Sequence, residues 1–205
     1  CLCGLDRRLQ RQLADLLGNN KAIYFPFGRY NGDAVITITN RLQLSGHRFA
    51  ELKFTDGAYT ALRFTSASAG LSTVENLWIV GTNASTPAIT LLKFDTQAAY
   101  NVVRHCTLAY ASKLIELDGV YVTKLIGNSM SNADVYWSWD DTTGGAADLY
   151  SSGNTYGTSL IGTQAMVQAA APGVRIVGDC WETQQHTKPA LELLTGTVYA
   201  DVDAR

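Results

Sequence analysis

A short unit recurs six times along this chain at intervals of 22–30 residues, and few folds can absorb such a rhythm. Each copy has an apolar residue, two intervening positions, a small or polar marker, one further position, then an apolar or aromatic residue. The copies read LSGHRF (44–49), VENLWI (74–79), VRHCTL (103–108), LIGNSM (125–130), SSGNTY (151–156) and IVGDCW (176–181). Their markers are His47, Leu77, Cys106, Asn128, Asn154 and Asp179, separated by steps of 30, 29, 22, 26 and 25. The fifth copy lacks the leading apolar residue. Self-similarity at this period points to a solenoid, in which each repeat buries its apolar face only against its neighbours.

A second series keeps time with the first: ALRF (61–64), LLKF (91–94), LIEL (114–117), YWSW (136–139), AMV (165–167) and LELL (191–194). Phe64, Phe94, Leu117, Trp139, Val167 and Leu193 are aligned as equivalents. Each repeat therefore holds at least two short strands, separated by Gly, Asn, Asp, Ser and Thr. Short alternating strands without helical patterns between them exclude a βαβ fold. The missing Leu–Asn signature excludes leucine-rich repeats. The remaining fold is all-β, a parallel β-helix in which each coil is one repeat.

Length and charge narrow the function. The chain has 205 residues, enough for one substantial core. Net charge is −2 and Lys and Arg form no cluster, so no nucleic-acid partner is expected. No apolar run reaches the roughly 18 residues that would insert in a membrane. His47, His105 and His186 are scattered and the cysteines stand apart, so neither a metal nor another cofactor is expected. Position 1 is Cys rather than Met and no secretory leader is recognisable, so the sequence reads as a processed or truncated piece. A lipid-modified Cys1 is the sharper alternative.

Residues 1–20 are expected to cap the solenoid and 21–205 to form it. Leu5, Leu9, Leu13, Leu16 and Leu17 make one stripe of an amphipathic helix that Gly18-Asn19-Asn20 ends. Such a helix would cover the apolar cross-section of the first coil. Strand-like IYFPFGRY (23–30) and VITIT (35–39) follow, with a turn at Asn31-Gly32-Asp33 between them. A helix, then a strand ending in Pro26, Gly28 and Tyr30, then a Ser-Gly-His step at 45–47, resembles the start of the pectate-lyase-like superfamily, which implies a right-handed parallel β-helix. Within it the nearest resemblance is to bacteriophage tailspikes, whose strand–turn–strand coils VENLWIVG (74–81) is similar to. That resemblance implies a homotrimer on the virion, joined to phage tail components, which binds and often cleaves bacterial surface polysaccharide outside the host cell.

Alternation along a strand separates the faces. With Val74, Leu77 and Ile79 inward, Glu75, Trp78 and Val80 point out; Cys106, Asn128, Asn154 and Asp179 then point inward, where stacked amides satisfy turn backbone. Trp78, Thr107 and Cys180 fall in outward columns suited to a subunit contact. Beside the second series runs the column Arg63, Lys93, Glu116, Ser138, Gln168 and Glu192, each one step before its aligned residue except Gln168, one step after Val167; in it Lys93 over Glu116 forms an opposite-charge pair. One step after lie Thr65, Asp95, Asp118 and Asp140.

Three aspartates on consecutive coils, at spacings of 23 and 22, would stand about 4.8 Å apart per step. Crowded carboxylates repel, raising at least one pKa, and sugar cleavage needs one protonated and one ionised carboxyl. A separation of about 5 Å suits a retaining hydrolase and about 6.5–9.5 Å an inverting one. Asp118 and Asp140 are read as the catalytic pair, with Asp95 adjusting their ionisation. Tyr136, Trp137 and Trp139 offer rings for a sugar face, and Asp141 adds a further carboxylate. Against this, Asp at strand ends commonly caps turns, Trp137 and Trp139 share one face, and at least one of them belongs in the core. The capping reading outweighs the catalytic one.

The sequence reading is a tailspike-like protein that binds bacterial surface polysaccharide and hydrolyses it by carboxylate chemistry. A lyase is the weaker reading, because no basic residue is clearly placed in the aspartate column. The alternative from another class is a non-catalytic structural or adhesive module of a virion fibre. A secreted pectinase is disfavoured, because no catalytic motif matches one.

Overall fold

The computed structural model describes residues 21–82, 86–142, 146–157, 164–170, 173–182, 189–194 and 200–204. The expected capping helix over 5–17 lies outside the described residues. Within them every strand pairing is parallel, and the strands fall into three ladders. The first stacks Lys21–Phe25, Leu42–Gly46, Thr73–Glu75, Val102–Arg104, Tyr121–Ile126, Ala147–Ser152, Val174–Trp181 and Ala200–Ala204. The second takes Gly28–Gly32, Ala50–Phe54, Trp78–Val80, the leading parts of Thr107–Asp118 and Ser129–Asp140, Thr155–Tyr156, and the end of Val174–Trp181. The third takes Ile36–Ile38, Thr60–Thr65, Thr90–Asp95, the trailing parts of the same two long strands, Val167–Ala169 and Leu191–Leu193. Successive turns of one coil thus add one strand to each ladder, which is the β-solenoid the repeat predicts. Among the described residues the helical content is one 3-10 turn, Ala67–Ala69.

The pairing register tests the sequence columns directly. Phe64, Phe94, Leu117 and Trp139 pair in succession, and the two phenylalanine rings stack with centroids 4.5 Å apart. Arg63, Lys93, Glu116, Ser138, Gln168 and Glu192 form one unbroken column, as expected. Val167 is misaligned by two positions: it pairs with Trp137, so Ala169 takes the place between Trp139 and Leu193. His47 is also displaced. Leu52 pairs with Ile79, so Ala50 is the counterpart of Leu77, and His47 sits exposed in a longer turn. Val80, expected to face solvent, is buried between Lys53 and Ala109 in its ladder.

The inward markers form a hydrogen-bonded ladder. The Cys106 N–H donates to the Asn128 Oδ1 at 3.0 Å, the Asn128 N–H to the Asn154 Oδ1 at 2.9 Å, and the Asn154 N–H to the Asp179 Oδ1 at 2.8 Å. Their amides turn back to satisfy carbonyls of the preceding coil, Asn128 that of Val103 and Asn154 that of Leu125, both at 3.0 Å. Asp179 is fully enclosed and receives the Ser151, Tyr156 and Asn154 donors instead of a cation. Burial pushes the Cys106 thiol up to about 12, so it acts as a small apolar member of the stack.

Two coils turn the corner between the second and third ladders without a loop. Thr107–Asp118 and Ser129–Asp140 run as single twelve-residue strands. Each bends at one residue in the left-handed region, Tyr110 with φ 62° and Asn132 with φ 51°, which the register places side by side. The same bend explains Gly81. Its position lies below Tyr110, and a Cβ there would collide with the Tyr110 carbonyl oxygen.

Candidate functional site

The C-terminal end of the third ladder gathers the expected carboxylates. Thr65 pairs with Asp95 and Asp118 with Asp140, and the Leu117–Phe94 pairing sets Asp118 beside Asp95. Their surroundings differ. Asp95 is 2% exposed. It accepts from Arg63 Nε at 2.8 Å and from the Thr96 hydroxyl at 3.0 Å, with Lys93 Nζ at 4.0 Å. Asp118 is 8% exposed. Its two oxygens accept from the Thr142 N–H at 2.9 Å and the Thr142 hydroxyl at 2.6 Å. Asp141 accepts from the Ala146 N–H at 2.7 Å. Turn capping is therefore present at Asp118 and Asp141.

Asp140 has a different electrostatic setting. Burial raises its carboxyl above the ordinary value, the charge of Lys113 opposes that rise, and repulsion from Asp118 and Glu116 adds to it. The Ser138 hydroxyl also pulls it down, by more than either carboxylate raises it, although its Oγ has no hydrogen-bond partner of ordinary geometry among the described residues. The influences that act most strongly on Asp140 after burial are Lys113, Ser138, Asp118 and Glu116. Around the pair runs a chain of alternating charge: Arg63–Asp95, Lys93–Glu116 at 2.6 Å and Lys113–Glu116 at 3.2 Å. Burial alone would raise Glu116, but the Lys93 hydrogen bond and the two lysine charges outweigh it and hold that carboxyl below its ordinary value.

The rings expected to meet a sugar are enclosed. Trp137 and Trp139 are both 0% exposed, and so is Tyr136. Trp137 Nε1 donates to the Tyr156 hydroxyl at 2.9 Å, and Tyr136 stacks on Tyr156 while its hydroxyl donates to the Gly157 carbonyl. As placed, none presents a face to a ligand. Alternation put Trp137 and Trp139 on one face correctly, and that face is the core. Tyr136 follows because consecutive residues are buried at this corner, as at Leu91-Leu92 and Leu114-Ile115.

Exposed rings stand instead at the adjoining corner, where the third ladder hands over to the first. Arg41, Leu71 and Tyr100 each precede by two the paired residues Gln43, Thr73 and Val102, so they occupy one position on three successive coils. With Tyr121, Gln97, Ser68 and neighbouring backbone they line a cleft of about 530 Å³. Gln97 follows Asp95 by two residues and Tyr121 follows Asp118 by three, so the cleft opens beside the carboxylates. Tyr100 is 59% and Leu71 54% exposed. Both are held at φ near +60°, where a bulky side chain costs about 1–2 kcal/mol. Coil-to-coil bonds fix them there: the Leu71 N–H donates to Ala99 at 2.6 Å and the Tyr100 N–H to Tyr121 at 2.9 Å. Beneath, the Ser72 N–H donates to the Asn101 Oδ1 at 3.2 Å, a second buried ladder. The repeat held a signal for it, since Ser72 and Asn101 are 29 residues apart, the same step as Leu77 to Cys106.

Among the described residues no group of three or more His, Cys, Asp or Glu is arranged to hold a metal, and no helix is long and apolar enough to cross a membrane. No family model matches the chain, and no curated protein matches it in sequence. Among solved structures it is similar to the catalytic domain of a GH87 α-1,3-glucanase in complex with nigerose, at 12% identity and a TM-score of 0.51, over 88% of this chain and 44% of that one. ORF18 of Geobacillus virus E2 matches at 12% identity and a TM-score of 0.45, over 89% of this chain and 54% of that one. The chain thus spans less than half the length of the glucanase chain it matches. At this identity the glucanase likeness is one of fold, an elongated parallel β-solenoid.

Proposed function

We propose that this chain belongs to a carbohydrate-acting solenoid of the tailspike type, which binds a bacterial surface polysaccharide and hydrolyses it at the Asp118–Asp140 pair. One observation carries the reading: two carboxylates are register partners on adjacent strands, and burial raises one of them, Asp140. Pairs whose surroundings push their ionisation apart are the usual basis of acid and base roles. A solved solenoid of this shape is the catalytic domain of a glucanase, so the fold can carry such chemistry.

In this reading Asp140, the carboxyl that burial raises, acts as the acid and delivers a proton to the glycosidic oxygen as the bond to the anomeric carbon breaks. Adjacent strands set the pair about 5 Å apart, the spacing of a retaining enzyme. Asp118 would attack the anomeric carbon as the nucleophile. Water would then hydrolyse the resulting ester while Asp140 takes the proton back. The reading includes a homotrimer on the virion, acting at the host cell surface. Its contact would use the outward column of Trp78, Thr107, Ser129, Thr155 and Cys180, at whose upper end Phe27, Phe49 and Trp78 are exposed.

A second reading, an adhesive module without catalysis, is favoured by the enclosure of Asp118 under Thr142. The test is release of reducing ends from purified capsules and lipopolysaccharides, with Asp118→Asn and Asp140→Asn beside the parent. Release abolished by both substitutions is expected. Release that survives both removes these residues from the chemistry, and retention of a polymer without release supports the adhesive module. Light scattering decides the oligomer.

A further inference from the structure

The corner cleft carries a charge signature that narrows the ligand. Arg41 is its one charged lining residue among the described ones; no carboxylate lines it. Arg41 is exposed and takes part in no described ion pair, unlike Arg29, Arg63 and Arg104, which are matched to Glu51, Asp95 and Glu75. It stands at the head of a column continued by Leu71 and Tyr100, with Tyr121 beside it.

We infer that this cleft is a subsite for an anionic sugar unit, with Arg41 binding its carboxylate or phosphate and Tyr100 and Tyr121 stacking on the adjoining ring. This rests on the reading of the chain as a polysaccharide binder and adds the substrate class. Three consecutive coils at about 4.8 Å per step span about 10 Å from Arg41 to Tyr100, room for two sugar units. The guanidinium fork matches a carboxylate or phosphate with two parallel hydrogen bonds. The backbone is arranged in advance: Leu71, Gln97 and Tyr100 are fixed in the left-handed region by coil-to-coil bonds, so little ordering remains for the ligand to impose. Gln97 and Ser68 supply hydrogen bonds for ring hydroxyls.

The test measures binding apart from cleavage, by affinity electrophoresis of the Asp140→Asn protein. The probes are polygalacturonate, hyaluronate and polysialate, each beside its carboxyl-reduced form, with teichoic acid as the phosphate arm and dextran as the neutral control. At least one acidic polymer is expected to retard the protein at least tenfold more strongly than its reduced form or dextran. Arg41→Gln should remove that preference and leave the neutral affinity within twofold. Tyr100→Ala should weaken acidic and neutral polymers alike. Both side chains are exposed, and an unchanged melting temperature shows that the variants fold. Equal retention of acidic and neutral polymers, or a preference that Arg41→Gln leaves intact, overturns the inference. Arg41-dependent binding without reducing ends from the parent protein keeps the subsite and removes the hydrolase; cleavage confined to neutral polymers does the reverse.

Discussion

Replacing Asn154 with Ala should be among the most damaging single changes in this protein, although it deletes few atoms. Its Oδ1 accepts from the Asn128 N–H and from the Asn128 amide, both at 2.9 Å, and its Nδ2 donates to the Leu125 carbonyl at 3.0 Å and to the Ser151 hydroxyl at 2.9 Å. All these groups lie where water is excluded, with Asn154 itself 0% exposed. Truncation strands one backbone donor and one backbone acceptor, and each buried orphan costs about 1–3 kcal/mol. The sum is about 4 kcal/mol, a large part of the roughly 5–15 kcal/mol that holds a domain together. For a chain of this size it should lower the melting temperature by about 8–16 °C. Asn154→Asp should be worse at neutral pH, because it sets a second carboxylate against the enclosed Asp179, which makes no ion pair among the described residues. Urea unfolding followed by circular dichroism gives both values. A loss below about 1 kcal/mol for Asn154→Ala would refute the claim that side-chain amides sustain the turn backbone.

Other perturbations separate the remaining arguments. Asp140 has its carboxyl raised above 3.8, so its contribution is complete below the unfolded value and lost as pH rises through the folded one. Asp140→Asn should therefore stabilise the protein at pH 7, and the gain should fade as urea midpoints are taken towards pH 3.5. Glu116, lowered from 4.5, has the opposite sign: Glu116→Gln should cost stability at pH 7, and the deficit should close as pH falls through the folded value. Gly81→Ala drives a methyl group into the Tyr110 carbonyl and should lower yield of folded protein or its melting temperature by several degrees. Tyr110→Asn copies the Asn132 bend of the next coil and should raise stability by about 0.5–1 kcal/mol, since Asn tolerates the left-handed region.

The solenoid was legible because its cause is periodic. Each coil must bury the same columns, so Phe64, Phe94, Leu117 and Trp139 recur in phase, and so do Asn128, Asn154 and Asp179. Where phase slips, spacing misleads: Val167 ends a segment with too few apolar residues to show that Ala169 holds the inward place. His47 mimics a marker because an extended turn happens to put a polar residue there. The aspartate column was readable for the same periodic reason, yet the hydrogen bonds that engage Asp118 come from Thr142, which no spacing links to it. The enclosure of Trp137 and Trp139 follows alternation, whereas that of Tyr136 depends on a corner where alternation fails. The cleft was hidden for another reason. Leu71 and Tyr100 adopt a conformation that usually announces itself by glycine, and here none marks the spot.

The two twelve-residue strands that round their corner on a single bent residue leave no slack there. Segments of new length can be grafted where loops join the strands, and along these coils that means the adjoining corner, at 66–72 and 96–101. Descendants of such a scaffold would keep one edge uniform and diversify the other. On the proposed reading of the cleft, swapping those spans would transplant a preference for one glycan and leave the spiral itself intact.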